Sequence, residues 1–289
     1  MTTRAYAKIN LDLRLGKRRP DGYHPIDTLM IRVDVFDTLE GEVTQDGKIS
    51  LDILGDDKLA AGPDNLVIRA AHALQCLAPR GLGAFMKLKK VIPQGAGMGG
   101  GSSDAAATLL LLSDLWNVCI NANELTKIAA TLGSDVPFFL QPHAARGTGR
   151  GEILEPIPLR NLPWALLIHP GFGSPTAAAY ATYAKNPCPG AKGPVLTLER
   201  NDGTTLEVIP QNDLEPPVEE RFPWIASCRQ WMESQPGVIA ARMSGSGSTV
   251  FGLFKDDLSA QCAAKNARDY FGHETWIQPA RLLSGPATN

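Results

Sequence analysis

The chain has 289 residues, of which 44% are hydrophobic and 20% charged, with a formal net charge of −2 at pH 7. This length allows one large domain or two ordinary ones, and no apolar run is long enough for a transmembrane helix. The near-neutral charge, without a long basic run, argues against a general nucleic-acid-binding protein but not against a nucleotide ligand.

The five cysteines are odd in number, scattered, and never spaced as Cys-x-x-Cys. A disulfide framework or a zinc cluster is therefore not expected, and the pattern fits a reducing compartment. The first residues contain no apolar segment of the kind found in secretory signals. We therefore expect a cytoplasmic protein.

The N-terminal half is predicted to open with a strand, because residues 5–14 alternate between apolar and polar side chains. Such alternation is typical of a strand buried on one face. Further strand-like runs follow near 27–36, 39–45 and 48–54, then a helical pattern over 65–77 and a strand over 84–92 that leads into a glycine-rich loop. Two helices follow at about 103–117 and 122–132, the second ending at Gly133.

The C-terminal half mixes helices and strands. Turn-rich residues 137–158 precede it, and we place the domain boundary between residues 158 and 159. A buried strand is predicted at 164–169, helices at about 175–184, 213–221, 223–234 and 257–271, and strands at about 237–242, 248–254 and 275–279. Residues 185–203 are expected to form an exposed excursion, and Ser284 onward a frayed tail. The predicted class is α+β with two domains, residues 1–158 and 159–289.

The most informative segment is the loop Pro93–Ser103, in which glycine occupies five of the seven positions from 95 to 101. Backbone without Cβ atoms can take positive φ and approach a ligand closely. The loop opens a helix, whose first N–H groups and dipole favour an anion. A phosphate is the natural candidate.

Three other interpretations of this loop are disfavoured. Gly95-x-Gly97-x-x-Gly100 matches the dinucleotide fingerprint, but a second helix follows the first, so the required βαβ unit is missing. A Walker A loop ends in Gly-Lys-Ser/Thr, and this loop contains no lysine. A flexible linker is not normally followed directly by a dense apolar helix. What remains is a lysine-free nest of backbone amides for an oligophosphate, with Mg²⁺ and a basic side chain from elsewhere supplying further positive charge.

Two residues are candidates for the chemistry beside that phosphate. Lys8 projects from the polar face of the first strand near Asn10, where a lysine by itself is more often a solvated edge-strand residue. Asp135 follows a helix end, where a lone aspartate more often forms a cap or turn. A lysine–aspartate pair near a triphosphate would instead hold an ionised carboxylate close to the acceptor hydroxyl.

Two more motifs each have two interpretations. Met243–Ser248 is either a tight turn before a strand or a second small-residue wall against the phosphates. Asp21–His24 is typical of a surface turn, yet Tyr23 and His24 together could stack on and hydrogen-bond a nucleobase.

Together these motifs resemble those of the GHMP small-molecule kinases. Residues 7–11 are similar to the first motif of that family, Pro93–Ser103 to the phosphate-binding second, and Met243–Ser248 to the third. The resemblance runs from about residue 5 to 280. Within the family, the segments 21–24, 133–138 and 169–171 are similar to members whose acceptor carries a cytidine diphosphate group.

The resemblance implies an N-terminal domain like the second domain of ribosomal protein S5 and a ferredoxin-like C-terminal domain. It implies transfer of the γ-phosphoryl group of ATP to the 2-hydroxyl of a cytidine diphosphate-linked methylerythritol, with Mg²⁺ as cofactor. The implied partners are these small molecules, without nucleic acid or membrane, and the chain would be a monomer or a weak homodimer.

The same resemblance assigns roles to individual residues, with Lys8 and Asp135 as the catalytic pair. The ATP phosphates would be held by Pro93, Gln94, Gly95, Ala96, Gly97, Met98, Gly99, Gly100, Gly101, Ser102 and Ser103, with Asn65 near the adenine. The acceptor would be bound by Asn10, Tyr23, His24 and Tyr180, with Tyr183 as the second choice for the last position. The Mg²⁺ ligands stay open among Ser102, Ser103 and Asp104, and Asp104 would equally suit a first-turn acid.

Overall fold

The computed structural model describes residues 1–285, which form thirteen strands and eight helices. The first half contains β1 (Thr2–Leu15), β2 (Ile26–Thr44), β3 (Ile49–Leu54), α1 (Leu66–Gln75), β4 (Gly83–Lys89), α2 (Gly100–Leu115), α3 (Ala122–Leu132), α4 (Val136–Leu140), β5 (Ala144–Thr148) and β6 (Ile153–Ile157). The second half contains β7 (Leu159–Arg160), β8 (Trp164–His169), α5 (Thr176–Lys185), β9 (Leu196–Arg200), β10 (Thr205–Val208), α6 (Glu215–Arg221), α7 (Pro223–Glu233), β11 (Val238–Met243), β12 (Val250–Phe254), α8 (Asp257–Phe271) and β13 (Trp276–Leu283). Most of the tail expected from Ser284 onward, residues 286–289, lies outside the described residues.

One ten-stranded sheet runs through both halves of the chain. Its order is β11-β12-β8-β13-β2-β4-β3, with β1 and β5 also paired to β2, and β6 paired to β5. β13 joins the halves, since it pairs with β8 and, through Leu282 and Leu283, with β2. A separate three-stranded sheet contains β10, β9 and β7. The predicted boundary between residues 158 and 159 stays a prediction.

Three apolar clusters hold the molecule together. In the first half, Leu39, Met86 and Leu112 belong to the core between α1, α2, α3 and the sheet. In the second half, α7 and α8 pack on β8, β11 and β12 around Phe254. The third cluster includes Ile9 of β1 and joins it to strands of the second half. β1 is therefore covered on both faces.

This burial corrects the expectation of a half-buried first strand. The polar side chains of Lys8, Asn10 and Asp12 are as buried as the apolar ones between them, with relative exposures of 4%, 5% and 2%. Charged groups tolerate such burial only when they have partners. The alternating pattern therefore marks a strand with an apolar core on one face and a polar interior on the other.

Three other predicted elements need correction. The runs 27–36 and 39–45 form one strand, β2, because the polar Asp37 between them is itself fully buried and paired with a lysine. The turn-rich stretch 137–158 contains α4, β5 and β6, and Pro137 lies in the first turn of α4, where its missing N–H has no cost. The excursion 185–203 contains β9, whose Leu196 and Leu198 are buried.

Candidate active site

A cavity of about 1450 Å³ gathers nearly all of the predicted site residues. Its lining includes Lys8, Asn10, Tyr23, His24, Asn65, residues 93–97 and 99–102, Asp135 and Tyr180. Met98 and Ser103 are the predicted residues that do not line it. Both side chains are buried, although the Met98 carbonyl accepts a hydrogen bond of 3.0 Å from the backbone N–H of Lys8.

The phosphate loop has the backbone that its glycines predict. Gly95, Gly97 and Gly99 all have positive φ, of 61°, 75° and 69°. A Cβ at Gly97 would lie 2.1 Å from the Ser244 carbonyl oxygen, so only glycine fits there. The loop ends directly in α2, which has no side-chain cap and no acidic residue in its first turn. The N–H groups of that turn are therefore left for a ligand.

The predicted catalytic pair is brought together in the cavity. The Lys8 Nζ lies 3.5 Å from the Asp135 Oδ2, with side chains that are 5% and 32% exposed. Lys8 also donates a 2.5 Å hydrogen bond to the Asn10 Oδ1. Register shifts in β1 on both sides of Lys8 and Asn10 mark bulges, which re-aim side chains. The alternative of a solvated edge-strand lysine is wrong, since β1 is covered.

Behind Asn10 lies a network of buried polar side chains that was not predicted from the sequence. Asn10 Nδ2 donates to Thr28 Oγ1 at 2.8 Å, and Thr28 in turn donates to the Asp12 carbonyl at 2.6 Å. The Asp12 carboxylate accepts from Arg146 at 2.7 and 2.9 Å. Both oxygens of this carboxylate are occupied by the guanidinium, so the charge is compensated. Asn10 is therefore held in one orientation beneath Lys8.

The third glycine motif packs against the phosphate loop. Ser244 Oγ donates to the Gly97 carbonyl at 2.9 Å and accepts from the Asn10 N–H at 3.3 Å. Two residues past the motif's last glycine, the Thr249 N–H donates to the Ala96 carbonyl at 3.1 Å. The first of the two interpretations given above is confirmed, because these residues form the tight turn between the antiparallel strands β11 and β12, with the Gly247 N–H donating to the Ser244 carbonyl at 2.9 Å. The same turn packs against the phosphate loop, and its role as a wall against the phosphates stays a prediction.

Aromatic side chains and an imidazole lie at another part of the cavity. His24 is 8% exposed, and its Nδ1 lies 2.9 Å from the Gly16 carbonyl oxygen. A carbonyl accepts only, so Nδ1 carries the proton and the buried Nε2, which has no partner, is an acceptor in the neutral ring. Tyr23 is 52% exposed, with the Arg150 guanidinium 3.5 Å from its ring centroid.

Tyr180, the first choice for the facing aromatic, lines the cavity, whereas Tyr183 does not. Tyr183 is 6% exposed and packs edge-on against His24. Burial, with a smaller contribution from Asp135, raises the pKa of Tyr180 to about 12. Tyr180 therefore stays neutral, as a ring that faces a base should be.

Asn65 lines the cavity but is also the N-cap of α1. Its Oδ1 accepts from the Val67 N–H at 2.9 Å and its Nδ2 donates to the Ala60 carbonyl at 3.0 Å. Its side chain is thus already used at both ends by capping. A place near the adenine stays a prediction that would involve its backbone or its remaining hydrogen-bonding capacity.

A buried charge cluster beneath the loop was not predicted. Lys90 Nζ lies 2.5 Å from the Asp37 Oδ2 and 2.7 Å from the Asp104 Oδ2, and all three side chains are at most 4% exposed. Asp37 Oδ1 also accepts from the N–H groups of Val91 and Ile92, which lead into the loop. The loop itself lacks lysine, but a buried lysine supports it.

Of the two roles considered for Asp104, one is wrong: Asp104 is the fifth residue of α2, so it is not a first-turn acid. Its role as an Mg²⁺ ligand stays a prediction. Burial, reinforced by Asp37 and partly offset by Lys90, raises the pKa of Asp104 to about 7. The cluster had only a weak signal in the sequence, because residues 37, 90 and 104 are far apart along the chain and form no motif together.

In residues 1–285, no group of three or more His, Cys, Asp or Glu side chains is placed to hold a metal ion. Asp104 lines the cavity, with its Oδ2 bound to Lys90 and its buried Oδ1 without a partner among the described residues, and Ser103 is buried. Ser102 lines the cavity at the first turn of α2. These donors fit an Mg²⁺ held mostly by nucleotide phosphates and water, as Mg²⁺ often is.

Comparison with known proteins supplies the family. The model of the N-terminal domain of GHMP kinases matches residues 65–142, and that of their C-terminal domain matches residues 197–273. A 4-diphosphocytidyl-2-C-methyl-D-erythritol kinase of Methylorubrum extorquens is 41% identical, over 98% of this chain and 99% of that one. The chain belongs to the GHMP kinases. An enzyme of the same name from Pelotomaculum thermopropionicum is 39% identical over 93% of this chain and 94% of its own.

Several solved structures have the same fold as this GHMP kinase. A crystal structure of 4-(cytidine 5'-diphospho)-2C-methyl-D-erythritol kinase matches with a TM-score of 0.77 and 33% identity, covering 99% of this chain and 100% of that one. A homoserine kinase from Cytophaga hutchinsonii matches with a TM-score of 0.72, but at 16% identity it shows the fold alone, over 99% of this chain and 95% of its own. The predicted α+β, two-domain GHMP kinase fold and the class of small-molecule kinase are confirmed. In residues 1–285, no helix is long and apolar enough to cross a membrane.

Proposed function

We propose that this kinase transfers the γ-phosphoryl group of ATP to the 2-hydroxyl of 4-diphosphocytidyl-2-C-methyl-D-erythritol, giving the 2-phosphate and ADP in the non-mevalonate isoprenoid precursor pathway. The observation that carries the proposal is one cavity with three different linings: a glycine loop at a helix N-terminus, a lysine–aspartate pair, and an imidazole acceptor among aromatic rings. Relatives named as this kinase match nearly the whole chain.

The donor end of the cavity suits the ATP phosphates. The uncapped first turn of α2 offers N–H groups and the positive end of the helix dipole. The proposal includes Mg²⁺, with Ser102 as the side chain at the helix start that would face it. When bound, the ion would neutralise charge on the phosphate oxygens.

At the centre, Lys8 and Asp135 would act on the acceptor. The acceptor oxygen forms a bond to the γ-phosphorus as the bond from that phosphorus to the bridging oxygen breaks, and the bridging oxygen leaves with ADP. The proton of the acceptor hydroxyl passes to the Asp135 carboxylate. The Lys8 ammonium, held by Asn10, stabilises the charge that the transfer spreads over the phosphoryl oxygens.

At the acceptor end, His24 and the tyrosines would recognise cytosine. When the His24 ring carries its proton on Nδ1, its Nε2 would accept a hydrogen bond from the exocyclic amino group of the base, once a small turn of the ring brings this buried atom to the cavity. A uracil presents a carbonyl oxygen at that position and would leave two acceptors facing each other. Tyr23 and Tyr180 would contact the faces of the ring.

The proposal also covers the location, the oligomeric state and the partners of the kinase. The kinase works in the cytoplasm, in keeping with five cysteines that form no disulfide. It is a monomer or a weak homodimer. Its partners are the two small-molecule substrates, and a formal net charge of −2 gives no overall attraction to nucleic acid.

The test is a coupled assay of ADP release with several acceptors: the cytidylyl compound, its uridylyl analogue, homoserine, mevalonate and galactose. We expect turnover with the cytidylyl compound and loss of most of it with the uridylyl analogue. Faster turnover with an acceptor that carries no base would contradict the proposed substrate. Equal turnover with both pyrimidines would contradict the role given to His24.

A further inference from the structure

Residues 212–215, at the start of α6, lie outside every motif discussed so far, yet all four are buried. Asn212, Asp213, Leu214 and Glu215 are 1%, 4%, 1% and 2% exposed. Three of them are polar, and a polar side chain is kept inside a protein only when its hydrogen bonds are satisfied. We term residues 212–215 the α6 clamp. The hydrogen-bond partners of these residues indicate the role of the segment.

We infer that Asn212 is a positioning residue, which holds the third glycine motif against the phosphate loop and thereby keeps Asn10 and Lys8 in place for phosphoryl transfer. The inference deepens the function proposed above and rests on it.

The amide of Asn212 is used completely. Its Nδ2 donates to the carbonyl oxygens of Met243 and Gly245, both at 2.7 Å. Its Oδ1 accepts from the Leu214 N–H at 2.9 Å. An amide side chain has two N–H donors, and both are directed at the glycine motif. Few other side chains could bridge two carbonyls in this way.

The rest of the clamp ties the same motif to β1. Glu215 accepts from the Met243 N–H at 2.6 Å. Asp213 accepts from the Leu15 N–H at 2.8 Å, and the Asp213 N–H donates to the Leu13 carbonyl at 3.0 Å. The clamp thus grips both the glycine motif and the strand that carries Lys8.

From Gly245 the path to the reacting groups is short. A Cβ on Gly245 would lie 3.0 Å from the Gly97 carbonyl oxygen and 3.3 Å from the Asn10 Oδ1. Asn10 Oδ1 is the atom that accepts from the Lys8 ammonium. A shift of Gly245 therefore moves the phosphate loop and the partner of Lys8 together, and misplacement of this kind lowers turnover. None of the described contacts of the clamp reaches Tyr23 or His24 at the base end.

The sharpest perturbation is Asn212→Asp, which keeps the shape and the acceptor for Leu214. The new oxygen replaces both donors and faces two carbonyl oxygens, leaving them without partners. Because these unsatisfied groups displace the glycine motif, we expect kcat to fall on the order of tenfold to a hundredfold at pH 8. The KM for the cytidylyl substrate should stay within about twofold of wild type, because the contacts that bind the substrate equally in the ground state and the transition state are unchanged.

A pH profile separates positioning from a general loss of stability. A protonated aspartic acid can again donate one hydrogen bond, and burial raises the pKa of such a carboxyl group. The ratio of kcat for Asn212→Asp to kcat for wild type should therefore rise as the pH falls from 8 to 6. Asp213, Glu215 and Arg242 lie nearby, and burial raises the pKa of Glu215 to about 7, inside this pH range. Both proteins are therefore compared in a Glu215→Gln background, which removes that group from the ratio.

Gln211→Met is the matched control. Gln211 is 5% exposed and its side chain donates only to Asp213, at 2.7 Å, without touching the glycine motif. We expect a lowered Tm with kcat unchanged. If Asn212→Asp does not fold, Asn212→Ser, which keeps one donor, serves for the same split between kcat and KM.

Wild-type kcat in the folded Asn212 variant, a flat pH ratio, or an equal loss of kcat in Gln211→Met would each overturn the inference. All comparisons use whichever acceptor the wild type phosphorylates. Failure of the wild type on the cytidylyl compound would therefore refute the proposed function and leave this inference to be decided by the ratio.

Discussion

Replacing Asp135 by asparagine is the perturbation that isolates the proposed base. The substitution keeps the size and shape of the side chain but removes its charge and its ability to take a proton. Asp135 makes no side-chain cap at α4, and it forms an ionic contact with Lys8 at 3.5 Å. Because the carboxylate is 32% exposed, the pair contributes at most about 1 kcal/mol to the free energy of unfolding.

The effect on turnover should be far larger than the effect on stability. A positioned general base contributes about 10² to 10⁴ in rate, equivalent to roughly 3–5 kcal/mol of activation free energy. The N–H groups of the loop and α2, which would hold ATP, are not touched by the change. Asp135→Asn should therefore lose two to four orders of magnitude in kcat, while its affinity for ATP stays within about twofold of wild type.

Single-turnover formation of ADP and equilibrium titration with ATP measure these two quantities. Asp64→Asn is the control, since Asp64 lines the same cavity but has no part in the proposed phosphoryl transfer. It should keep kcat within about twofold of wild type. If Asp135→Asn retains more than about a tenth of wild-type kcat, the role given to Asp135 is refuted.

Three other predictions follow from the same contacts. Tyr23→Ala should weaken binding of the cytidylyl substrate by about 5- to 100-fold in calorimetric titration, the range expected for one base–aromatic stack, with ATP binding unchanged; equal losses for both ligands would contradict the stacking. Burial lowers the pKa of His169 to about 4, so His169 alone should remove up to about 3 kcal/mol of unfolding free energy as the pH falls from about 6.5 to 4. This contribution is the difference between wild type and His169→Asn in urea titrations, and an identical slope in both proteins would count against it. Lys90→Met should cost about 3–5 kcal/mol, because Asp37 and Asp104 lose their shared cation, and adding Asp104→Asn should restore part of that loss; a cost below about 1 kcal/mol would show that the carboxylates find other partners.

The parts of the site that the sequence predicts are those encoded locally. The glycines of 93–103 act through their own backbone, so the loop and the helix that follows can be recognised without knowing the fold. Lys8 and Asn10 lie two residues apart on one strand, and their shared face follows from strand geometry. The lysine–aspartate pairing was a hypothesis from chemistry, and the structure places the two groups 3.5 Å apart.

The parts that could not be predicted join residues distant in sequence. Asp37 lies inside β2, Lys90 directly follows β4 and Asp104 lies in α2, and each alone is typical of a solvated charge. Asn212 lies 33 residues from Gly245, whose carbonyl it holds. For the same reason, the sequence predicted two strands where the structure has only β2. The polar Asp37 interrupts the apolar run, and its buried partner cannot be known from the sequence.

The most direct test of the proposed reaction is a ³¹P NMR spectrum of wild-type enzyme with ATP, Mg²⁺ and the cytidylyl substrate labelled with ¹³C in the methylerythritol. We expect ADP and one new phosphomonoester signal, coupled to the carbon that bears the methyl group, with the diphosphate signals of the acceptor retained. ADP accompanied only by inorganic phosphate, or a phosphomonoester coupled to a different carbon, would contradict the proposed reaction.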